Sequence, residues 1–421
     1  MFSRSSICRA LCALCLVSAF LYPRASAQNP FLERKHDRHI GKIQFVGAKV
    51  TKQYILERGL GLARGDLYSW AAVTDARERL ESLSFIEYVV IEEDFHDADT
   101  VDLLVTVNED DRLIWAPHAA YERRHDHYVV GLDFAMRNLR GRHETLGVRS
   151  SWWGKHGYQA HWDNPRILDP ASLSLRADIS WESYKFRFEP FDFRDLFFEF
   201  GVGRQLGPWL KAEVAGQLRE VVLEDGGTAF PDAIQRDDAV LLWLEHDSRD
   251  LRFYPSKGIH AWAAARFGRL GEERSYEVYR LHLAAFWNIP YVDILAARVE
   301  QRLSGSPLPV YERSFLGGPQ DLRGIDFGSI EGDQHFLASF EIRRPIFLMK
   351  LLEGRALGVG VHAFHDWGKA YEHGAGFDSA AIVRSWGAGI HFNFNTRNLR
   401  LEWARNEDGD DSVLFEDNFS F

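Results

Sequence analysis

From about Arg112 to its end, the chain is written in short runs in which apolar and polar residues alternate one for one. In Ser172 to Ser180, Leu173, Leu175, Ala177 and Ile179 fall on one side of an extended backbone, with Ser172, Ser174, Arg176, Asp178 and Ser180 on the other. The same period of two sets Tyr128, Val130, Leu132, Phe134 and Met136 against His127, Gly131 and Asp133, and sets Phe198, Phe200 and Val202 against Glu199, Gly201 and Gly203. Period two is the strand period. A charged face opposite an apolar one, strand after strand with polar turns between, suits a barrel with a wet interior and a hydrocarbon-facing exterior. Soluble sandwiches and propellers also alternate, so the pattern alone does not name the solvent. The runs from Leu113 onward predict about sixteen strands, an even number of the kind bacterial membrane barrels use.

The segment before them has a different texture. Ile43 and Phe45 followed by Gly47 read as a strand and turn, Thr51 to Arg58 as a helix. Ser69 is a helix N-cap ahead of Val73, Ala76, Leu80 and Leu83 at three-to-four spacing. Ile86 to Glu92 and Val101 to Val107 read as two further strands, completing a small α+β unit. This order, with the segment LESLSFIEYVVIEED, resembles a polypeptide-transport-associated (POTRA) domain. The expected divisions are a signal peptide at 1–27, a linker at 28–39, a POTRA-like domain at 40–110 and a barrel at 111–421.

The extreme N-terminus carries Arg4 and Arg9, an apolar run from Ala10 to Tyr22 and the small-residue site Ala25-Ser26-Ala27, the pattern of a secretory signal. Its run is short of the roughly 20 residues a spanning helix needs. Cys8, Cys12 and Cys15 all lie inside it, so the processed chain is expected to be free of cysteines and disulfides. Processing leaves 47 basic against 61 acidic residues, a net charge of −14, with no basic stripe for nucleic acid. Trp152, Trp153, Trp162, Trp181, Trp243, Trp262, Trp287, Trp367, Trp386 and Trp403 fall in or near strands, where interfacial aromatic girdles would put them.

Three segments carry a second resemblance. In DSRDLRFYPSKG, Asp247 and Asp250 can accept backbone N–H groups in a tight turn, Pro255 fixes one dihedral, and Gly258 permits a close backbone approach. The segment resembles the D-x-R-D…P-x-x-G turn of the BamA/TamA outer-membrane assembly and translocation superfamily, the bacterial surface antigen family. SFLGGPQDLRGIDFGSIEGDQ resembles that superfamily's sixth extracellular loop, which folds into the lumen; Arg323 and Gly324 match, Ile325 stands where an aromatic is usual, and Phe327 follows two positions later. FHDWGKAY resembles the F-x-D-x-G strand, which implies that Asp366 pairs with Arg323 in a lumen lock. ASFEIRRPIF resembles the glutamate-arginine-proline strand end and would turn Glu341 and Arg343 inward together. SWGAGIHF and NLRLEWA resemble later strands of the family. The final strand ends in Phe421 with Phe415 and Phe419 on its face, a C-terminal insertion signal interrupted by Asp417.

His36, Asp37 and His39, and His125, Asp126 and His127, lack a third ligand at zinc spacing and read as polar loops. No nucleophile elbow, phosphate-binding loop or metalloprotease helix occurs, so neither catalytic residues nor a cofactor or metal are expected. The resemblance implies a mainly β protein, a transmembrane antiparallel β-barrel preceded by a POTRA-like domain in the periplasm of an outer-membrane-bearing bacterium. Expected partners are an extended or unfolded protein client, outer-membrane lipid and the general barrel-assembly machinery that inserts the protein itself. The competing expectation is a passive channel or structural barrel with no protein client.

Overall fold

The computed structural model describes residues 38–417 apart from 82, 96–98, 123–126, 154, 169–171, 186–191, 225–232, 251–253, 272–273, 291–292, 351–355 and 396. The signal segment, the three cysteines, His36 and Asp37, His125 and Asp126, and Phe419 and Phe421 lie outside the described residues.

The N-terminal domain orders β1 (His39–Val46), α1 (Gln53–Leu60), α2 (Trp70–Glu81), β2 (Ile86–Asp94) and β3 (Thr100–Glu109). β3 is central, parallel to β1 and antiparallel to β2, which leaves β2 on an edge. The alternate residues Val101, Leu103, Val105 and Val107 of β3 bury against Ile55, Leu56, Leu60, Val73, Ala76 and Leu80 of the helices. Ser69 caps α2 as its position predicts, its hydroxyl accepting the Ala72 N–H at 3.1 Å. α1 begins at Gln53 rather than Thr51: Lys52 has the extended backbone of an N-cap, φ −68° and ψ 140°, and the Thr51 N–H before it donates to Glu109 at 2.7 Å.

The barrel strands are β4 (Leu113–Glu122), β5 (His127–Leu139), β6 (Glu144–Trp153), β7 (His156–Leu168), β8 (Leu173–Lys185), β9 (Asp192–Gln205), β10 (Leu210–Glu224) and β11 (Ala233–Asp247). They continue with β12 (Gly258–Leu270), β13 (Arg274–Ile289), β14 (Asp293–Ser304), β17 (Gln334–Lys350), β18 (Ala356–Tyr371), β19 (Val383–Asn395), β20 (Arg397–Asn406) and β21 (Asp411–Asp417). A two-stranded ribbon of β15 (Ser314–Leu316) and β16 (Ile330–Gly332) lies within the connection between β14 and β17. The other sixteen strands form one antiparallel meander running from β4 to β21, broken only by that connection. The sheet curls into a barrel: Tyr254, in the turn after β11, meets His391 of β19 at 3.2 Å. Among the described residues no ladder joins β21 to β4.

Alternation sorts the two faces. Ser174, Glu199, Glu213, Gln217, Asp237, Arg266, Arg298 and Glu341 are buried inside, whereas Phe134, Ile179, Phe198, Phe200, Val202, Leu218 and Leu242 are exposed outside. That outer surface would be a liability in water and is the satisfied state in a bilayer. Not every tryptophan joins a girdle. Trp243 and Trp262 share the inward parity of Asp237 and Arg266 and stack on each other, ring centroids 4.6 Å apart, with His282 stacked beyond Trp262. Their strand register, which overall aromatic count does not reveal, puts them in the lumen.

The N-terminal domain sits beneath the strand turns at one rim. Lys52 N–H donates to Gly141 O at 2.9 Å, Asn138 Nδ2 to Thr51 Oγ1 at 2.8 Å, and Arg137 pairs with Asp110 at 2.8 Å. The Phe85 ring packs edge-on to His143 at 5.0 Å.

Candidate functional site: a loop clamped inside the lumen

The connection from Gly305 to Asp333 starts at the rim opposite the N-terminal domain and folds inward. Leu316 and Leu322 bury against Leu337 of β17 and Ala370 of β18, with Ile325 and Ile330 packed beside them. Ile325 therefore fills an aliphatic pocket in place of the aromatic usual there. Gly324 has φ +82°, and a Cβ on it would stand 3.0 Å from that of Ala404, so both its backbone and its neighbour favour glycine.

The loop delivers Arg323 to three strands at once. Its Nε and Nη2 donate to the two carboxylate oxygens of Asp366, each at 2.8 Å, the planar fork-to-fork pairing that only arginine provides. Its backbone N–H adds a 3.2 Å bond to the same carboxylate. Nη1 donates to Glu341 at 2.8 Å and Glu402 at 3.2 Å, and Nη2 to Ser339 Oγ at 3.1 Å. The Phe364 ring lies 3.5 Å beneath the guanidinium, so a strand residue supplies a cation–π face. The Arg323 side chain and all three carboxylates are at most 1 % exposed.

Buried ions must balance. Glu341 also accepts from Arg343 Nε at 2.6 Å, and Glu402 from Arg400 at 3.0 Å and His362 at 2.7 Å. Arg323, Arg343 and Arg400 thus face Asp366, Glu341 and Glu402, three against three. Sequence reasoning singled out Arg323, Gly324, Asp366, Glu341 and Arg343, and the structure gathers them together. It missed Ser339, His362, Arg400 and Glu402. Arg400 and Glu402 were visible as the polar positions alternating with Leu399, Leu401 and Trp403, but that pattern does not say which strands meet.

The turn from Asp247 to Gly258 is built on its two aspartates. Asp250 accepts the Ser256 N–H at 2.8 Å and the Lys257 N–H at 3.2 Å; Asp247 instead binds the guanidinium of Arg249 at 2.8 and 3.0 Å, and its N–H at 3.3 Å. Gly258 has φ +109°, and a Cβ there would meet Ser248 O at 2.3 Å. Beside Pro255, the fully buried Tyr254 links this turn through His391 to His362, whose Nδ1 lies 3.2 Å from that of His391. The turn and the clamp therefore share one chain of contacts. Glu245, Asp247 and His260 converge within 4.8 Å of one another, but Arg249 already answers the charge of Asp247. Phe415, the described member of the terminal aromatic set, faces outward and is 67 % exposed.

A sixteen-stranded barrel with an inward loop held by a buried guanidinium, and one small α+β domain under its rim, defines a class of membrane protein. The Omp85 superfamily domain model matches residues 138–421, and a surface antigen variable number repeat, the POTRA model, matches residues 38–110. The chain belongs to the Omp85 superfamily, and it is an outer-membrane barrel concerned with inserting or translocating protein. Among solved structures it is similar to BamA from Haemophilus ducreyi lacking POTRA domains 1–3, at 15 % identity and TM-score 0.65, covering 92 % of this chain and 85 % of that one. It is also similar to CdiB from Acinetobacter baumannii, at 13 % identity, TM-score 0.60 and coverage of 91 % and 74 %. CdiB from Escherichia coli gives 10 % identity, TM-score 0.57 and coverage of 100 % and 99 %. No curated protein sequence matches the chain.

Proposed function

We propose that the protein receives an extended protein client on its N-terminal domain, in the periplasm, and passes it to the barrel for insertion into or passage across the outer membrane, without covalent chemistry. The observation that carries this reading is the clamped loop. A strap fixed in the lumen by three buried carboxylates obstructs free diffusion of solutes and suits a translocator whose lumen is closed at rest.

Two further features fit. The sheet order leaves β2 with one edge unpaired, and Tyr88 and Val90 on that strand are exposed, so an extended client can add as a fourth strand through backbone hydrogen bonds. At the other end of the handover, β4 and β21 are the two end strands of the sheet, and among the described residues no ladder joins them. A photo-crosslinking residue at Val90 is expected to capture protein clients in cells, and one at Trp70, on the helical side, far fewer. Equal capture at both positions would sink the edge-addition route.

A further inference from the structure

The Arg323 clamp holds only one end of the loop. At its other end a short 3-10 turn, Val310–Glu312, buries the carboxylate of Glu312 among four arginines from four different strands. Arg219 of β10 and Arg266 of β12 approach Oε1 at 3.1 and 3.6 Å; Arg302 of β14 and Arg280 of β13 approach Oε2 at 3.3 and 3.7 Å. Arg302 also donates to the Glu312 carbonyl. The neighbouring Tyr311 ring takes the Arg219 guanidinium on its face at 4.5 Å and packs with Phe315 against Phe193 and Val221.

The charges show what Glu312 does there. Arg219 is held at 2.6 Å by Asp195 and Arg266 at 2.9 Å by Asp237, so two of the four cations have wall carboxylates of their own. For Arg280 and Arg302, Glu312 is the carboxylate at hand. Four guanidinium groups face Asp195, Asp237 and Glu312. Without Glu312 the wall would hold four cations against two anions in a confined space, a repulsive arrangement in the absence of a replacement anion. The arginine cradle is thus a carboxylate-binding site in the barrel wall, and the loop supplies its occupant.

We propose that Glu312 is a second anchor, positioning the loop against β9–β14 while Arg323 fixes it to β17–β20. The loop becomes a strap tied at both ends, and release of either tie frees part of the lumen. The inference does not depend on the nature of the client, since it concerns the closed state of the barrel alone.

The test is single-channel conductance of the full-length protein in planar bilayers, with folding checked by heat-modifiable migration. Glu312→Gln, nearly isosteric, is expected to raise the frequency of the large-conductance state; Glu312→Arg is expected to raise it further, and Glu312→Asp to stay near the parent. The charge swap Glu312→Arg with Arg302→Glu is expected to return conductance toward the parent, which a purely steric role for residue 312 would not do. Parent-like conductance in Glu312→Gln, or a swap no quieter than Glu312→Arg alone, overturns the proposal. If Glu312→Arg does not assemble, assembly of the swap supports it, and Glu312→Gln still decides.

Discussion

Arg323 is an ion that the fold has taken wholly out of water, and its value depends on its partners staying in place. Replacing it with alanine leaves Asp366 and parts of Glu341 and Glu402 buried without their cation, a change that costs about 3–5 kcal/mol when one member of a buried pair is removed. Arg323→Ala is therefore expected to lower the temperature at which the barrel loses its compact migration, and Arg323→Lys to recover little of it, because an ammonium cannot span both oxygens of Asp366. Full recovery by lysine would show that the fork is unimportant. Gly258→Ala places a side chain 2.3 Å from Ser248 O at φ +109°, and backbone strain alone costs about 1–3 kcal/mol. The fraction of chains reaching the heat-modifiable form should drop. Gly258 was legible from the chemistry of its own turn, whereas Arg323 was legible through the resemblance of its loop to a family motif, its partner Asp366 lying 43 residues away. Glu312 and Glu402 were not, since each acts through cations or loops brought together only by the curl of the sheet.

Alternation gave the strands, and Ser69 gave the start of α2, because both signals are local. Contacts between elements were less legible. Glu109, the last residue of β3, accepts hydrogen bonds from the N–H groups of Lys49 at 3.1 Å, Val50 at 3.1 Å and Thr51 at 2.7 Å, and from the Thr51 hydroxyl. Thr51 is in turn the group that Asn138 of the barrel rim binds. Partial burial pushes the Glu109 carboxyl up, but these hydrogen bonds outweigh it and hold the group below the ordinary glutamate value. A lowered folded value means stabilisation that is complete above about pH 4.3, the ordinary value, and lost as pH falls through the lowered one. Hydrogen exchange of the amides at 49–51 should therefore accelerate on acidification below about pH 4.3 beyond its intrinsic pH trend. In Glu109→Gln they should exchange faster at neutral pH, with that acid step absent. An acid step of unchanged size in Glu109→Gln would assign it to another group.

The barrel as a whole is braced unevenly. The Glu312 and Arg323 ties of the strap fall on β9 to β20, while among the described residues no ladder joins β4 to β21. On the last strand, β21, the outward residues Val413 and Phe415 are 73 % and 67 % exposed. Each mid-sheet residue is flanked by two strands and each seam residue by one. Backbone groups at such edges cannot remain unpaired in hydrocarbon, so the edges either close on each other or take up a strand from elsewhere. Two routes for a client follow, and they respond differently to one manipulation. Cysteines placed in β4 and β21 and joined by a short bis-maleimide should block delivery of a client into the membrane through the seam while leaving passage through the lumen intact. Arg323→Ala, which frees the strap, should alter the lumen route first. A tethered seam with undiminished membrane insertion would rule out lateral exit and leave the strap as the gate.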